Sequence, residues 1–250
     1  MSLGVQKLVF NLSSRHYRKK EGLYLVEGLR CCSEAIFKAS DRILYYICSE
    51  SFRSSVHFID IPSLTPIVLS DSTFGNLSET KTPQGIILVL KAPVLSPASS
   101  LSSPFTLILD CVSDPGNLGT ILRTAWAVGL DSVWLVKGSA DPFSPKSIRS
   151  GMGAQFSVGL HLFDSLEDAV SHARLFGTSE VWCTLPDKGI SIYDDDFVLT
   201  GSTLIIGNEA NGISLPDIGR AVTIPMPGHS ESLNAAQAAT VFLIDSLRPR

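Results

Sequence analysis

The sequence predicts an α/β protein in which a small mixed domain precedes a larger domain built on a parallel sheet. Beyond residue 104, continuous apolar segments alternate with segments of helical periodicity, a pattern typical of buried parallel strands and their covering helices. Residues 1–90 mix helix and strand signals less regularly. Between these regions, residues 91–104 (KAPVLSPASSLSSP) are rich in Ser and Pro, which indicates a linker.

Length and composition describe a globular protein. The 250 residues are 44% hydrophobic and 18% charged, which suits one large or two small domains. No apolar run reaches the roughly 20 residues that a membrane span requires. A signal peptide is not expected, because Arg15, Arg18, Lys19 and Lys20 follow the apolar residues instead of preceding them. The five cysteines form no C-x-x-C pair, which predicts reduced thiols in the cytoplasm and argues against zinc.

Charge is distributed unevenly along the chain. Residues 1–100 carry 11 Lys and Arg against 8 Asp and Glu, a net +3, whereas residues 101–250 carry 9 against 16, a net −7. The basic residues are densest at 15–20, RHYRKK. Such a run is typical of a solvated face, but with Tyr17 inside it also suits phosphate contacts and ring stacking on a nucleic acid.

The first domain is predicted over residues 1–95. Apolar residues at helical spacing predict helices over residues 3–12 and 27–39. Apolar runs predict strands over residues 23–26, 43–48 and 86–90, with weaker strand signals at 56–61 and 67–69.

The second domain is predicted over residues 104–250. Its strands are predicted at 106–111, 132–136, 154–160, 180–185, 203–206 and 221–224. Its helices are predicted at 117–128, 145–149, 165–176 and from 235 onward. Gly129 and Gly177 end two of these helices. The apolar strands predict a parallel sheet covered on both faces.

Polar residues gather in loops that follow three of these strands. Ligands of open parallel sheets bind beyond the carboxyl ends of the strands, so these loops are the predicted site. The first loop leads from Asp110 into a helix that begins at the Asp114-Pro115 signal and carries Asn117 and Arg123. The planar guanidinium of Arg123 suits a phosphate or a carboxylate, with a structural ion pair as the alternative.

The second loop, residues 206–213 (IGNEANGI), places Asn208 and Glu209 between Gly207 and Gly212. Glycine permits close approach of the backbone, although a plain turn explains the same pattern. No G-x-G-x-x-G sequence occurs in the chain, which disfavours a dinucleotide-binding enzyme.

The third loop leads into the last helix. Residues 224–228 (IPMPG) contain a turn signal. Ser232 and Asn234 stand where they can cap the N–H groups of the following helix. Small residues on its first turns leave room for another backbone or a flat ligand. An ordinary capped helix is the alternative.

Other polar residues admit simpler roles. Asp110 and Asp114 are candidate acids, but helix capping is favoured for Asp114. His229 is interpreted as an exposed turn residue rather than a catalytic base, and the three aspartates at 194–196 as a solvated loop rather than a metal site. Residues 145–154 (PKSIRSGMGA) form either a second phosphate-facing strip or a basic loop.

Three ordered motifs carry a family resemblance: D-P-x-N-x-G-x-x-x-R from Asp114, G-N-E-x-x-G-I from Gly207, and I-P-M-x-G-x-x-x-S-L-N from Ile224. They resemble the motifs of the SpoU/TrmH family of the SPOUT superfamily, which are S-adenosylmethionine-dependent RNA ribose 2′-O-methyltransferases. The likeness covers residues 105–250. Residues 1–90, with L-x-L-V-E-G-x-R-x-x-x-E-A-I, resemble the family's substrate-binding domain, an α/β domain related to ribosomal proteins.

The resemblance implies a deep C-terminal trefoil knot, although topology rules alone predict an unknotted sheet. It also implies a homodimer with each active site at the interface, S-adenosylmethionine as cofactor and no metal. The implied cofactor-binding residues are Gly207, Asn208, Gly212, Ile224, Met226, Ser232, Leu233 and Asn234.

Catalysis is implied for Arg123, with Asn117 and Glu209 in support. Because a guanidinium is too weak an acid to give up its proton in a protein, we expect Arg123 to bind the phosphate beside the target ribose rather than to act as the base. Ribosomal RNA is the favoured substrate, and tRNA is the runner-up. A catalytically silent RNA-binding or assembly factor is the alternative class. The residues expected to contact RNA are Arg15, Arg18, Lys19, Arg30, Lys146 and Arg149. No membrane partner is expected.

Overall fold

The computed structural model describes residues 2–228 and 232–248, and no side chain for residues 2 and 3. The helices are α1 (Ser2–Leu12), α2 (Arg15–Glu21), α3 (Leu29–Ala39), α4 (Glu50–Arg53), α5 (Asp71–Leu77), α6 (Pro115–Ala127), α7 (Pro145–Gly151), α8 (Leu166–Leu175) and α9 (Ala235–Asp245). The strands are β1 (Leu23–Glu27), β2 (Ile43–Ser49), β3 (Ile67–Leu69), β4 (Ile86–Lys91), β5 (Thr106–Leu109), β6 (Ser132–Val136), β7 (Gly159–Phe163), β8 (Val181–Thr184), β9 (Ile190–Ser191), β10 (Thr203–Ile206) and β11 (Arg220–Thr223). Short 3-10 helices lie at Ser40–Arg42, Ala154–Phe156 and Pro216–Ile218.

The chain divides into two compact units. Unit 1 comprises Met1–Pro93 and Asp141–Phe156, and unit 2 comprises Val94–Ala140 and Ser157–Arg250. This division differs from the predicted one at residues 141–156, which pack with unit 1 although they lie between two strands of unit 2 in sequence. The roles predicted for the two domains stay predictions.

Unit 1 is a four-stranded sheet with helices packed on it. The strand order is β1-β4-β2-β3. Strand β4 is antiparallel to both β1 and β2, while β2 and β3 are parallel. One core cluster unites residues of α1, α5 and the sheet: Val5, Val9, Leu12, Leu25, Ile47, Leu69, Phe74, Ile87 and Val89.

Unit 2 contains a seven-stranded sheet of order β7-β6-β5-β10-β8-β11-β9. Every neighbouring pair of strands in it is parallel, which confirms the predicted fold class. Strands β5, β6 and β10 are buried at every residue, and this explains their continuous apolar sequences. The loops after β5, β10 and β11 leave the same edge of the sheet, because parallel strands end on one side.

The strand predicted at 56–61 is wrong. No strand forms between α4 and β3. Val56 is exposed, and the rest of the segment packs against β2 as a loop: the Phe58 ring lies 6.0 Å from that of Tyr46, and the Tyr46 hydroxyl donates to the Ile59 carbonyl at 2.8 Å. The strand predicted at 154–160 is wrong in its first half. There the buried Gln155 amide donates to the carbonyls of Pro142 and Ser147 at 3.1 and 2.8 Å, which holds a 3-10 turn.

The predicted linker at 91–104 is not a solvated tether. Its later residues pack on unit 2, where Ala98 and Ser102 are buried. The Ser102 hydroxyl lies 2.6 Å from that of Ser132, and the Ser103 N–H donates to the Asp131 carboxylate at 3.1 Å. None of the helices in the described part of the chain has the length and apolar character that a bilayer span needs.

Candidate active site

Glu209 joins the first loop to the second. Its Oε2 accepts hydrogen bonds from the backbone N–H and the hydroxyl of Ser113, at 3.1 and 3.0 Å. Its Oε1 accepts from Asn117 Nδ2 at 2.8 Å and from the Asp114 N–H at 3.3 Å. Burial raises the pKa of this carboxyl, but the hydrogen bonds from Asn117 and Ser113 lower it by more, so the pKa of Glu209 lies below its usual value.

Asn117 joins the first loop to the third. Its Oδ1 accepts from Asn234 Nδ2 at 3.0 Å. Asn234 Oδ1 in turn accepts from the N–H groups of Ala236 and Gln237 at 2.9 and 3.3 Å, which caps α9. One series of hydrogen bonds therefore runs from Glu209 through Asn117 to Asn234 and connects all three loops.

The first loop enters α6 as predicted. Asp114 Oδ1 accepts from the Asn117 N–H at 2.9 Å, so the capping role of Asp114 is confirmed. Asp110 is buried at the end of β5, and its Oδ2 accepts from the Ser214 N–H at 2.6 Å. This contact fastens the far end of the second loop to β5, so burial turns Asp110 inward rather than toward a ligand.

The second loop closes tightly on itself. The Asn208 N–H donates to the Gly212 carbonyl at 2.8 Å, and the Gly212 N–H donates back at 2.9 Å. Asn208 Nδ2 donates to the Cys111 carbonyl of the first loop at 2.7 Å. At Gly207, an added Cβ would lie 2.3 Å from the Gly212 carbonyl carbon. Only glycine fits there, because the backbone of residues 212 and 213 fills the space that a side chain would need.

A cavity of about 220 Å³ lies against the second and third loops. Its lining residues are Thr184, Leu185, Pro186, Ile206, Gly207, Asn208, Glu209, Ala210, Gly212, Ile224, Met226, Ser232, Leu233, Ala235, Ala238 and Phe242. All the predicted cofactor-binding residues except Asn234 are among them. Sequence reasoning missed Leu185 and Pro186, which follow β8. The position of β8 between β10 and β11 would have identified them, but strand order is not readable from one sequence.

Arg123 lies on the exposed side of α6 and does not line the cavity. Helix α6 packs against α9, where the hydroxyls of Thr124 and Thr240 approach to 3.5 Å. Residues 2–228 and 232–248 provide no hydrogen bond or ion pair to the Arg123 guanidinium. The alternative of a structural ion pair therefore gains no support from the part of the chain that is described.

The remaining candidates do not join this site. The three aspartates at 194–196 are exposed, and Asp194 accepts from the Asp196 N–H at 3.0 Å within a turn. Across the described residues, His, Cys, Asp and Glu side chains form no group of three or more that could hold a metal ion. His229 lies outside the described residues.

The residues predicted to contact RNA all belong to unit 1. Arg15, Lys19, Arg30 and Lys146 are exposed, and Arg149 is half-buried beside Glu79, with 3.3 Å between Nη1 and Oε2. The prediction for Arg18 is wrong, because its side chain is buried in an ion pair with Asp141 at 2.8 Å. The basic run is therefore neither wholly a solvated face nor wholly a contact surface.

Replacing Glu209 by Gln is expected to make the free energy of unfolding depend less on pH below about pH 4.5. Because the folded-state pKa lies below the unfolded value near 4.5, Glu209 stabilises the fold fully above that value. This contribution is lost as pH falls through the folded pKa. Urea unfolding at several pH values checks this, with Glu167→Gln on α8 as an exposed control. Parallel pH profiles for wild type and Glu209→Gln would contradict the assigned hydrogen bonds.

Comparison with known proteins places this geometry in context. The model of the SpoU rRNA Methylase family matches residues 104–244, and that of the MRM3-like substrate binding domain matches residues 6–88. The chain is 31% identical to 23S rRNA (guanosine(2553)-2′-O)-methyltransferase RlmP of Bacillus subtilis, over 93% of this chain and 91% of that protein.

Solved structures agree over almost the whole chain. A protein of the TrmH family from Porphyromonas gingivalis superposes with a TM-score of 0.82 at 32% identity, covering 96% of each chain. The SpoU methyltransferase AviRb from Streptomyces viridochromogenes, solved in complex with the cofactor AdoMet, superposes with a TM-score of 0.81 at 27% identity, also over 96% of each chain.

Proposed function

The chain belongs to the SpoU rRNA methylase family, and from this premise we propose that it transfers a methyl group from S-adenosylmethionine to a ribose 2′-hydroxyl of RNA. Ribosomal RNA is the favoured substrate class, supported by the name of the Bacillus subtilis relative. The observation that carries the proposal is the hydrogen-bond series Glu209–Asn117–Asn234, which connects three loops beside one cavity.

The lining of the cavity fits S-adenosylmethionine. Leu185, Ile224, Leu233 and Phe242 offer an apolar wall of the kind that receives an aromatic ring. Gly207, Asn208 and Ser232 line the same cavity and add polar groups to this apolar wall. When bound, the cofactor supplies a methyl group on a sulfonium, which already contains its own leaving group. The protein then has only to orient the ribose hydroxyl and assist its deprotonation.

The roles of the chain's residues follow from their contacts. Glu209 and Asn117 hold the loops in one arrangement, so α6 keeps a fixed relation to the cavity. Arg123 extends from the exposed side of that helix, where its planar fork is available to an RNA phosphate. Its guanidinium keeps its proton, so the proton of the ribose hydroxyl leaves through that phosphate or a second acceptor.

The proposal extends to topology, assembly and location. A trefoil knot is supported by membership of the SpoU rRNA methylase family. A homodimer through unit 2 is supported by the exposed apolar side chains of Ile244 and Leu247 at the end of α9, 52% and 59% exposed. A cytoplasmic location is supported by the five free cysteines.

Methyl transfer from labelled S-adenosylmethionine tests the function. We expect the purified chain to label deproteinised ribosomal RNA, and to label it more strongly than tRNA. Calorimetry on the same protein should detect S-adenosylmethionine binding without RNA. Binding of the cofactor without transfer to either RNA would favour a catalytically silent RNA-binding factor, and failure of both measurements would refute the proposal.

A further inference from the structure

Residues 141–156 are built into unit 1. Helix α7 buries Ser147, Ile148 and Gly151. The Phe143 ring lies 4.9 Å from that of Tyr24 on β1, and Cys31 Sγ on α3 lies 3.7 Å from the Ile148 carbonyl oxygen. This segment, which we term the α7 segment, is therefore part of the packed interior of unit 1 and not a surface loop.

Arg18 fastens the start of the α7 segment. Its Nε and Nη2 donate to Asp141 Oδ2 at 2.9 and 2.8 Å, and its Nη1 donates to the carbonyls of Leu12 and Ser13 at 3.0 and 2.7 Å. Asp141 Oδ1 then accepts from the Phe143 N–H at 2.9 Å, which shapes the turn into α7. With all three guanidinium nitrogens occupied and 6% of the residue exposed, Arg18 is not available to a ligand.

Further cations lie on α2, on α7 and at the start of α3, the elements that these contacts join within unit 1. Arg15 lies one helical turn before Arg18 on α2, and Lys146 and Arg149 lie one turn apart on the outer side of α7. Arg30 is adjacent in sequence to Cys31, which contacts the α7 segment. Although burial has the larger effect and raises the pKa of the Cys31 thiol, both Arg30 and Arg149 lie near enough to it to favour its charged form.

The net charge of unit 1 is positive and that of unit 2 is negative, so unit 1 is the unit that attracts a polyanion. Unit 1 carries 13 Lys and Arg against 9 Asp and Glu, a net +4, whereas unit 2 carries 7 against 15, a net −8. The phosphate backbone supplies most of the sequence-independent affinity for nucleic acid and requires Lys and Arg. The α7 segment adds positive charge to unit 1, although in sequence it lies within the acidic unit 2.

We propose that the α7 segment, α2 and the start of α3 form one binding surface for the RNA phosphate backbone, and that Arg18 is its positioning residue, acting through Asp141. The inference rests on the proposed function, since it names the surface that receives the RNA substrate. Arg18 contributes no phosphate contact. It fixes the segment that presents Lys146 and Arg149, so its loss removes contacts that other residues make.

A double-mutant cycle tests this role. In wild type, Lys146→Ala should weaken binding of deproteinised ribosomal RNA about fivefold at physiological salt, the effect of losing one phosphate contact. In an Arg18→Met background the same substitution should change affinity less than twofold. Arg15→Ala removes an exposed cation from α2, the helix that also carries Arg18. In that background, Lys146→Ala should still weaken RNA binding about fivefold. Arg18→Met should raise KM for RNA and leave both kcat and S-adenosylmethionine affinity unchanged.

A second variant serves as the control for loss of folding. Arg18→Met alone leaves the Asp141 charge buried without its partner, which is strongly destabilising. The pair Arg18→Met with Asp141→Asn removes both charges and should show the same loss of the Lys146 effect, together with faster hydrogen exchange in residues 142–156. Additive effects of Arg18 and Lys146 substitutions in either background would overturn the positioning role. If the wild-type protein methylates RNA but the two substitutions have additive effects on RNA affinity, this inference fails and the proposed function stands. If the wild-type protein neither binds nor methylates RNA, the proposed function itself fails.

Discussion

Replacing Arg123 by Ala is expected to lower kcat/KM for methyl transfer about 10- to 100-fold while S-adenosylmethionine still binds. A hydrogen-bonded contact to a charged group contributes roughly 1.5–3 kcal/mol, and each 1.36 kcal/mol corresponds to about tenfold in rate. Arg123 does not line the cavity, so the binding equilibrium of the cofactor should not change. Calorimetry and labelled-methyl transfer on the same preparation separate the two quantities.

Two further variants make this result specific. Arg123→Lys should restore little activity, because a point charge cannot reproduce the planar fork of a guanidinium. Arg174→Ala removes another exposed helical arginine of unit 2, from α8, and should leave transfer within about twofold of wild type. Wild-type turnover in Arg123→Ala, or an equal loss in Arg174→Ala, would show that Arg123 has no special part in the reaction.

Replacing Gly207 by Ala is expected to remove most S-adenosylmethionine binding and to destabilise unit 2. The added Cβ would lie 2.3 Å from the Gly212 carbonyl carbon and 2.5 Å from the Ile213 nitrogen, both backbone atoms that cannot rotate away. Relief requires the second loop to move, which disturbs the cavity wall. Overpacking of this kind costs about 1–3 kcal/mol, and we expect at least a 30-fold loss of cofactor affinity if that strain is relieved in the loop.

Thermal unfolding and calorimetry measure the two effects of Gly207→Ala separately. Gly75→Ala is the matched control, because Gly75 lies within α5 with no atom within 4 Å of an added Cβ. That substitution should leave cofactor affinity unchanged and stabilise the helix slightly, by roughly 0.5–1 kcal/mol. Unchanged affinity in Gly207→Ala would mean that the second loop does not form the wall of the binding site.

The sequence was sufficient to predict the parallel sheet of unit 2 because the signals of its strands are local. Strands buried on both faces are continuous apolar runs, and parallel strands deliver their loops to one edge of the sheet. This explains why the loops that carry Gly207 and Ser232 could be expected at one edge of the sheet, whereas Leu233 was assigned through the family resemblance alone. The capping roles of Asp114 and Asn234 were equally local, since a cap acts within three residues of itself.

What the sequence did not predict depends on contacts between distant residues. Arg18 and Asp141 are separated by 123 positions, and a basic run alone does not distinguish a buried arginine from its exposed neighbours. For the same reason, the sequence alone did not show that the α7 segment packs with unit 1. Leu185 and Pro186 were missed because β8 lies between β10 and β11, an arrangement that no local pattern records.

The proposed function requires that the methyl group be attached to a ribose 2′-oxygen of the RNA. After reaction with labelled S-adenosylmethionine, ribosomal RNA can be digested to nucleosides and analysed by mass spectrometry. We predict that the label is found in a 2′-O-methylribonucleoside and that it accumulates at least about tenfold more slowly when Arg123→Ala replaces the wild-type protein. Label on a base, or on no nucleoside while the cofactor remains bound, would contradict the proposed function.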